Sequence, residues 1–167
     1  MSNFHLVSDV NAVAGNVVDR TWATVQRQFK IIEREFLELK GHVDEQDGGR
    51  YLEKLRDDVC DLLVTTYGMG FLLGIDVDAD MVVATQALMS RFDRTPEDQS
   101  RTELKYNDLA VPTICRRVEH TDGNVYYVTV CAMDCVGTDG EKYIKGKWLK
   151  SYQFHEPVYS SIDFTLS

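Results

Sequence analysis

Four carboxylates fall in two short motifs: Glu35 and Glu38 stand three residues apart, and Asp58 and Asp61 repeat that spacing. On a helix, at about 100° per residue, such a separation leaves two side chains about 60° apart on one face. Two antiparallel helices would then set one pair opposite the other. Carboxylates brought together repel, and the repulsion is relieved by protonation, by a Lys or Arg partner, or by a metal ion. With no His or Cys in the set the donors are hard oxygens, which favour Mg²⁺ over zinc, with Mn²⁺ as the alternative. Asp61 lies in the apolar run Val59-Cys60-Asp61-Leu62-Leu63-Val64, where an unpaired charge would be costly to desolvate, so it calls for a cation. The competing reading is a pair of solvated helix flanks, with Arg34, Lys54 and Arg56 in ordinary surface ion pairs. One motif alone favours that reading; the repetition weighs against it.

The elements that must position these groups follow from periodicity. Trp22, Val25, Phe29, Ile32, Phe36 and Leu39 recur at alternating steps of three and four, which predicts a helix with one buried stripe that stops near Gly41. A polar connection over 42–50, containing Asp44, Asp47, Gly48 and Gly49, is short enough to make the next helix an antiparallel neighbour. That helix is predicted over 51–73, with Gly74 as a left-handed stop and with Gly68 and Gly70 admitting another backbone at close range. A third, shorter helix runs from a cap at Asp76 or Asp78 to Phe92, and Pro96 opens a fourth that ends near Leu109. Beyond Pro112 the pattern turns to strand. Residues 113–119 and 125–133 are rich in β-branched and aromatic side chains around the hairpin signal Asp122-Gly123, and 137–140 form a second turn.

Composition narrows the function classes. The chain has 167 residues, 44% of them hydrophobic, enough for one domain with a real core plus an appendage. A net charge of −9 argues against a nucleic-acid polymer as partner, because phosphate-backbone binders carry clustered Lys and Arg. A nucleotide remains compatible, since a metal held by acidic groups reverses the local charge. The four cysteines form no C-x-x-C pair and read as buried free thiols. No stretch has the roughly 20 apolar residues of a membrane span, and no basic leader precedes an apolar core, so the expected location is the cytoplasm, of the host if the chain is viral.

At the carboxylates the sequence resembles the MazG-like, all-α nucleotide pyrophosphohydrolase superfamily, which includes the phosphoribosyl-ATP pyrophosphohydrolases. The family pattern E-x-x-E, then E-x-x-D, reads here Glu35-Phe36-Leu37-Glu38 and Asp58-Val59-Cys60-Asp61, with Asp58 in place of Glu and one methylene shorter. The run from Asp57 to Gly68, followed by Leu73-Gly74-Ile75-Asp76, is similar to the phage-type branch. So are Leu88-Met89-Ser90-Arg91-Phe92, Asp139-Gly140, Lys145-Gly146-Lys147 and Phe154-His155-Glu156-Pro157, with Leu88 where that branch has Asn.

The resemblance implies Mg²⁺-dependent hydrolysis of a (d)NTP to (d)NMP and pyrophosphate, with Glu35, Glu38, Asp58 and Asp61 as metal ligands. Glu35 or Glu38 would act as general base, and Arg91, Lys145 and Lys147 would contact substrate. Phosphoribosyl-ATP or alarmone hydrolysis would use the same carboxylates, and a catalytically impaired nucleotide-binding or decoy protein is the alternative that Asp58 and Leu88 motivate. The expected fold is mainly α: an antiparallel helical bundle over residues 1–94 as catalytic body, then residues 95–167 as a helix plus β-hairpin extension whose Lys-rich segment packs on the same domain. Two long helices and a short one leave apolar surface uncovered, so a homo-oligomer is expected, a dimer completing a four-helix arrangement or a tetramer.

Overall fold

The computed structural model describes residues 2–45, 51–161 and 165–167. The described residues are mainly helical, with α1 (Asn3–Val13), α2 (Trp22–Glu45), α3 (Tyr51–Leu73), α4 (Val77–Met89) and α5 (Pro96–Asp108). Strands β1 (Thr113–Glu119), β2 (Val125–Cys131), β3 (Cys135–Val136) and β4 (Lys142–Tyr143) make two small antiparallel sheets, β1 with β2 and β3 with β4. The chain divides into two compact units, Met1–Met81 with Ser160–Ser167 and Val82–Tyr159, the boundary falling within α4. No single helix among the described residues is long and apolar enough to cross a membrane.

In the first unit α2 and α3 lie antiparallel. Gln28 Nε2, early in α2, donates to the Thr65 carbonyl late in α3 at 2.8 Å, while His42 near the end of α2 meets Asp58 near the start of α3. The helix does not stop at Gly41, as its sequence suggests, but continues to Glu45. A glycine costs a helix only about 1 kcal/mol relative to alanine. Here the Lys40–Asp44 ion pair spans the turn across it, and His42 is anchored on α3. The first residues of the expected connection are therefore helical, and Asp47, Gly48 and Gly49 lie outside the described residues.

The C-terminus of α3 follows its prediction. Gly74 sits at φ +66°, its amide bonding the Phe71 carbonyl at 3.0 Å and the Ile75 amide bonding the Gly70 carbonyl at 2.9 Å, a Schellman closure. Gly70 does admit a close neighbour, but a side chain rather than a backbone: a Cβ there would run into Val77 Cγ2 and stand 3.4 Å from Phe4 Cε2. Gly68 likewise faces Gln28 Nε2 at 3.2 Å. The Phe4 contact comes from α1, a helix absent from the sequence expectation. Ser2 caps it by accepting from the His5 amide, but its apolar residues are spread round the helix, so no stripe announces it.

The apolar stripe of α2 is only partly covered. Val25, Ile32 and Leu39 are half-buried, whereas Trp22, Phe29 and Phe36 are each more than half exposed. Two packed helices and a short third cannot enclose a stripe this wide.

The second unit is built on the β1–β2 hairpin, paired from Thr113↔Cys131 to Glu119↔Val125, with Gly123 at φ +82° in its turn. β2 ends two residues before the expected Met133; the Ala132 amide makes one more bond towards the first strand, to the Pro112 carbonyl at 2.8 Å, while the Cys131 amide on the other edge bonds the Lys147 carbonyl at 3.0 Å. α4 also ends early, at Met89 rather than Phe92. Thr95 caps α5, its hydroxyl accepting from the Asp98 amide at 3.1 Å. Tyr106, Val111, Cys131 and Leu149 form the core, flanked by Leu109, Cys135 and Tyr143. Of the cysteines only Cys131 is fully buried; Cys60 is exposed, Cys115 and Cys135 are intermediate, and all are free thiols.

Candidate functional site

The antiparallel α2–α3 pair brings Glu38, His42 and Asp58 together, with one potential ligand atom from each lying within 4.8 Å of the others. Asp58 is the most enclosed of them at 5% exposure. Its Oδ2 is 2.7 Å from His42 Nδ1, so one ion held by both groups would take the place of the proton that Nδ1 donates there. An imidazole, which the sequence argument for oxygen donors did not include, thus stands among the converging groups. Glu38 and His42 are one turn apart on α2, and that spacing was the available signal; it was hidden by ending the helix at Gly41.

The other predicted carboxylates separate by environment. Glu35 is 6% exposed and takes both of its Arg34 hydrogen bonds on Oε1, at 2.6 Å from Nη2 and 3.2 Å from Nε. The Glu35 carboxylate raises the Arg34 guanidinium above its ordinary value, first through the hydrogen bond and then through charge, and Glu38 and Asp61 add smaller attractions. Arg34 thus senses three of the four predicted carboxylates. Asp61 itself is exposed, so the desolvation argument that singled it out does not apply in the folded chain. Asp57 is also exposed and lines an open cleft on α3 with Glu53, Lys54, Arg56 and Cys60; it is not one of the groups that converge with His42.

Arg91, Lys145 and Lys147 all belong to the second unit. Arg91 and Lys147 line one cleft there, and Lys145, whose amide bonds Asp134 Oδ1 at 2.7 Å, is not among its lining residues. The same unit holds a polar node that the sequence did not signal. Asp93, 3% exposed, accepts on Oδ1 from Thr102 Oγ1 at 3.0 Å and Ser151 Oγ at 2.5 Å, while Oδ2 is buried without a partner among the described residues. Burial pushes its carboxyl up, against the opposing pull of Ser151 and Thr102.

No protein-family model matches the chain, and no curated protein matches it at a significant level.

Proposed function

We propose that the protein is a divalent-metal-dependent nucleotide pyrophosphohydrolase of the MazG-like kind, converting a (d)NTP to the (d)NMP and pyrophosphate. The observation that carries this reading is the convergence of Glu38, His42 and Asp58 across two antiparallel helices, with Glu35 and Asp61 acting on the same Arg34. Glu38, His42 and Asp58 would hold the cation, and the mixed donor set suits Mn²⁺ better than Mg²⁺, which prefers oxygen alone. The bound ion would neutralise phosphate charge and acidify a water. Glu35 is the better placed general base, because both Arg34 bonds fall on Oε1 and leave Oε2 to orient a water and take its proton. Asp61, exposed and on the same α3 helix as Asp58, would complete the acidic lining. Arg91, Lys145 and Lys147 keep their proposed role as phosphate contacts.

A second reading, a nucleotide-binding protein with little turnover, is favoured by one observation: Glu35 is already matched by Arg34 and Asp58 by His42. The deciding experiment incubates the protein with Mg²⁺ or Mn²⁺ and a panel of NTPs and dNTPs, and separates monophosphate plus pyrophosphate from diphosphate plus phosphate. Pyrophosphate release that Asp58→Ala abolishes is expected. Binding of nucleotide without any pyrophosphate release would replace the enzyme by the binding protein.

A further inference from the structure

We infer that the second unit carries a nucleotide-phosphate site of its own, made by Arg91, Lys142, Lys147 and Trp148, which needs no divalent cation. It deepens the assignment of Arg91 and Lys147 as substrate contacts and rests on that assignment only for what the bound nucleotide becomes. None of the α2–α3 carboxylates takes part in it.

The charge distribution is the first observation. In a chain of net charge −9, a cleft of about 270 Å³ is lined by Arg91, Lys142, Lys147 and Lys150 against one carboxylate, Glu141. Lys150 is spoken for, since its Nζ is 2.5 Å from Glu156. Arg91, Lys142 and Lys147 have no carboxylate partner among the described residues. Clustered cations with no internal counter-charge repel one another, and an anion removes that cost.

Arg91 supplies the second observation. Its Nη1 donates to the Trp148 carbonyl at 3.3 Å and its guanidinium lies 4.9 Å from the Phe154 ring centroid, which fixes the head in place. Its Nε is buried with no hydrogen-bond partner. A guanidinium presents donors in a planar fork, the geometry that bidentate phosphate oxygens match.

The third observation gives the ligand its other half. A second cleft of about 420 Å³ shares Arg91, Lys147 and Trp148 with the first and adds Leu88 and Gly146. Trp148 is 51% exposed, held edge-on to Phe92 at 5.4 Å between centroids and by a backbone bridge to Val130. Gly146 has no neighbour within 4 Å of where a Cβ would stand, and its φ of +82° keeps the turn open beside the ring. Donors without acceptors on one side and a fixed, half-bare indole on the other suit a phosphorylated compound with a planar ring. A nucleoside phosphate meets both demands; inorganic phosphate meets only the first.

The test uses the full chain in EDTA, with Trp22→Phe making Trp148 the sole tryptophan of the two present. AMP is titrated against Trp148 fluorescence, and AMP, adenosine and inorganic phosphate are compared by calorimetry. AMP is expected to quench saturably and to bind more tightly than phosphate or adenosine. Lys147→Glu should weaken AMP by about tenfold or more, the effect of losing a charged hydrogen bond. Trp148→Leu should bring AMP down to the affinity of phosphate. Asp58→Ala should change none of these. Absence of saturable binding by AMP, or an unchanged affinity in Lys147→Glu, overturns the site, and equal affinity for AMP and phosphate overturns its nucleoside half. Pyrophosphate release in Mn²⁺ alongside no binding in EDTA would sink this site and leave the hydrolase standing. Binding in EDTA without pyrophosphate release would do the reverse.

Discussion

His42 and Asp93 are the two side chains whose neighbours most constrain what they can do. His42 lies 2.7 Å from a nearly buried carboxylate and one helical turn from Glu38, so removing it takes away an imidazole donor and the group that orients Asp58. His42→Ala is expected to lower Mn²⁺ affinity by about 10–100-fold, measured by the free-ion signal in electron paramagnetic resonance titrations, with helix content unchanged by circular dichroism. Unchanged affinity would exclude His42 from the centre. Asp93 titrates instead of binding. Its carboxyl is raised in the fold chiefly by burial, so its contribution to stability is complete below the unfolded value of about 3.9 and is lost as pH rises through the raised one. Asp93→Asn keeps an oxygen for Thr102 and Ser151 and never ionises. Its stability advantage over the unsubstituted protein should therefore widen from about pH 4 towards pH 7 in urea titrations. A constant difference across that interval would show that the fold does not raise the Asp93 carboxyl.

At the scale of elements, the glycines of α2 and α3 separate what propensity decides from what packing decides. Gly41 is mid-helix and meets nothing within 4 Å of a built Cβ, whereas at Gly70 the added carbon collides with Val77 Cγ2. Gly41→Ala should raise stability by about 0.5–1 kcal/mol through helix propensity alone. Gly70→Ala should lower it by about 1–3 kcal/mol, the overpacking cost exceeding the same propensity gain. Urea midpoints compare the two directly, and a stabilising Gly70→Ala would mean that α4 shifts without resistance. The same positions explain what the sequence disclosed. Gly74 was legible because a left-handed stop requires a residue type. Gly41 misled because glycine ends a helix only when nothing downstream holds it, and what holds it here, the Asp58–His42 contact, joins residues sixteen apart in the chain. The extension of α2 past Gly41 and the approach of His42 to Glu38 and Asp58 thus have one origin. The Thr95 cap and the Asp122-Gly123 turn were legible for the opposite reason: their chemistry is local, Asp122 Oδ1 accepting from the Asn124 amide at 2.8 Å and its carboxyl held down at about 2 by those Asn124 hydrogen bonds and by His120.

For the whole molecule, the decisive surface is the apolar edge that the first unit leaves bare. Trp22, Phe29 and Phe36 recur every seven residues on α2, and Leu52, Val59 and Leu63 share a face of α3, all of them exposed. Their periodicity made the helices readable, yet periodicity counts apolar residues without saying whether the same chain or another covers them. Six large apolar side chains left exposed on two adjacent antiparallel helices are apolar surface of the kind that a partner ordinarily covers. A second copy packed on it about a two-fold axis would give each helix pair its missing layer, the closed arrangement most soluble oligomers adopt. Phe29 and Phe36 are the residues to charge, since both are exposed on α2 and neither offers a ligand atom to the Glu38–His42–Asp58 cluster. Sedimentation velocity of the unsubstituted protein is expected to give a dimer or tetramer. Phe29→Glu with Phe36→Glu should give a monomer, and because α2 and α3 lose their cover, its urea midpoint should no longer depend on protein concentration as that of the parent does. If the parent sediments as a monomer at every concentration examined, the bare edge is not a self-interface. The proposed Glu38–His42–Asp58 centre would then have to work on an uncovered two-helix face.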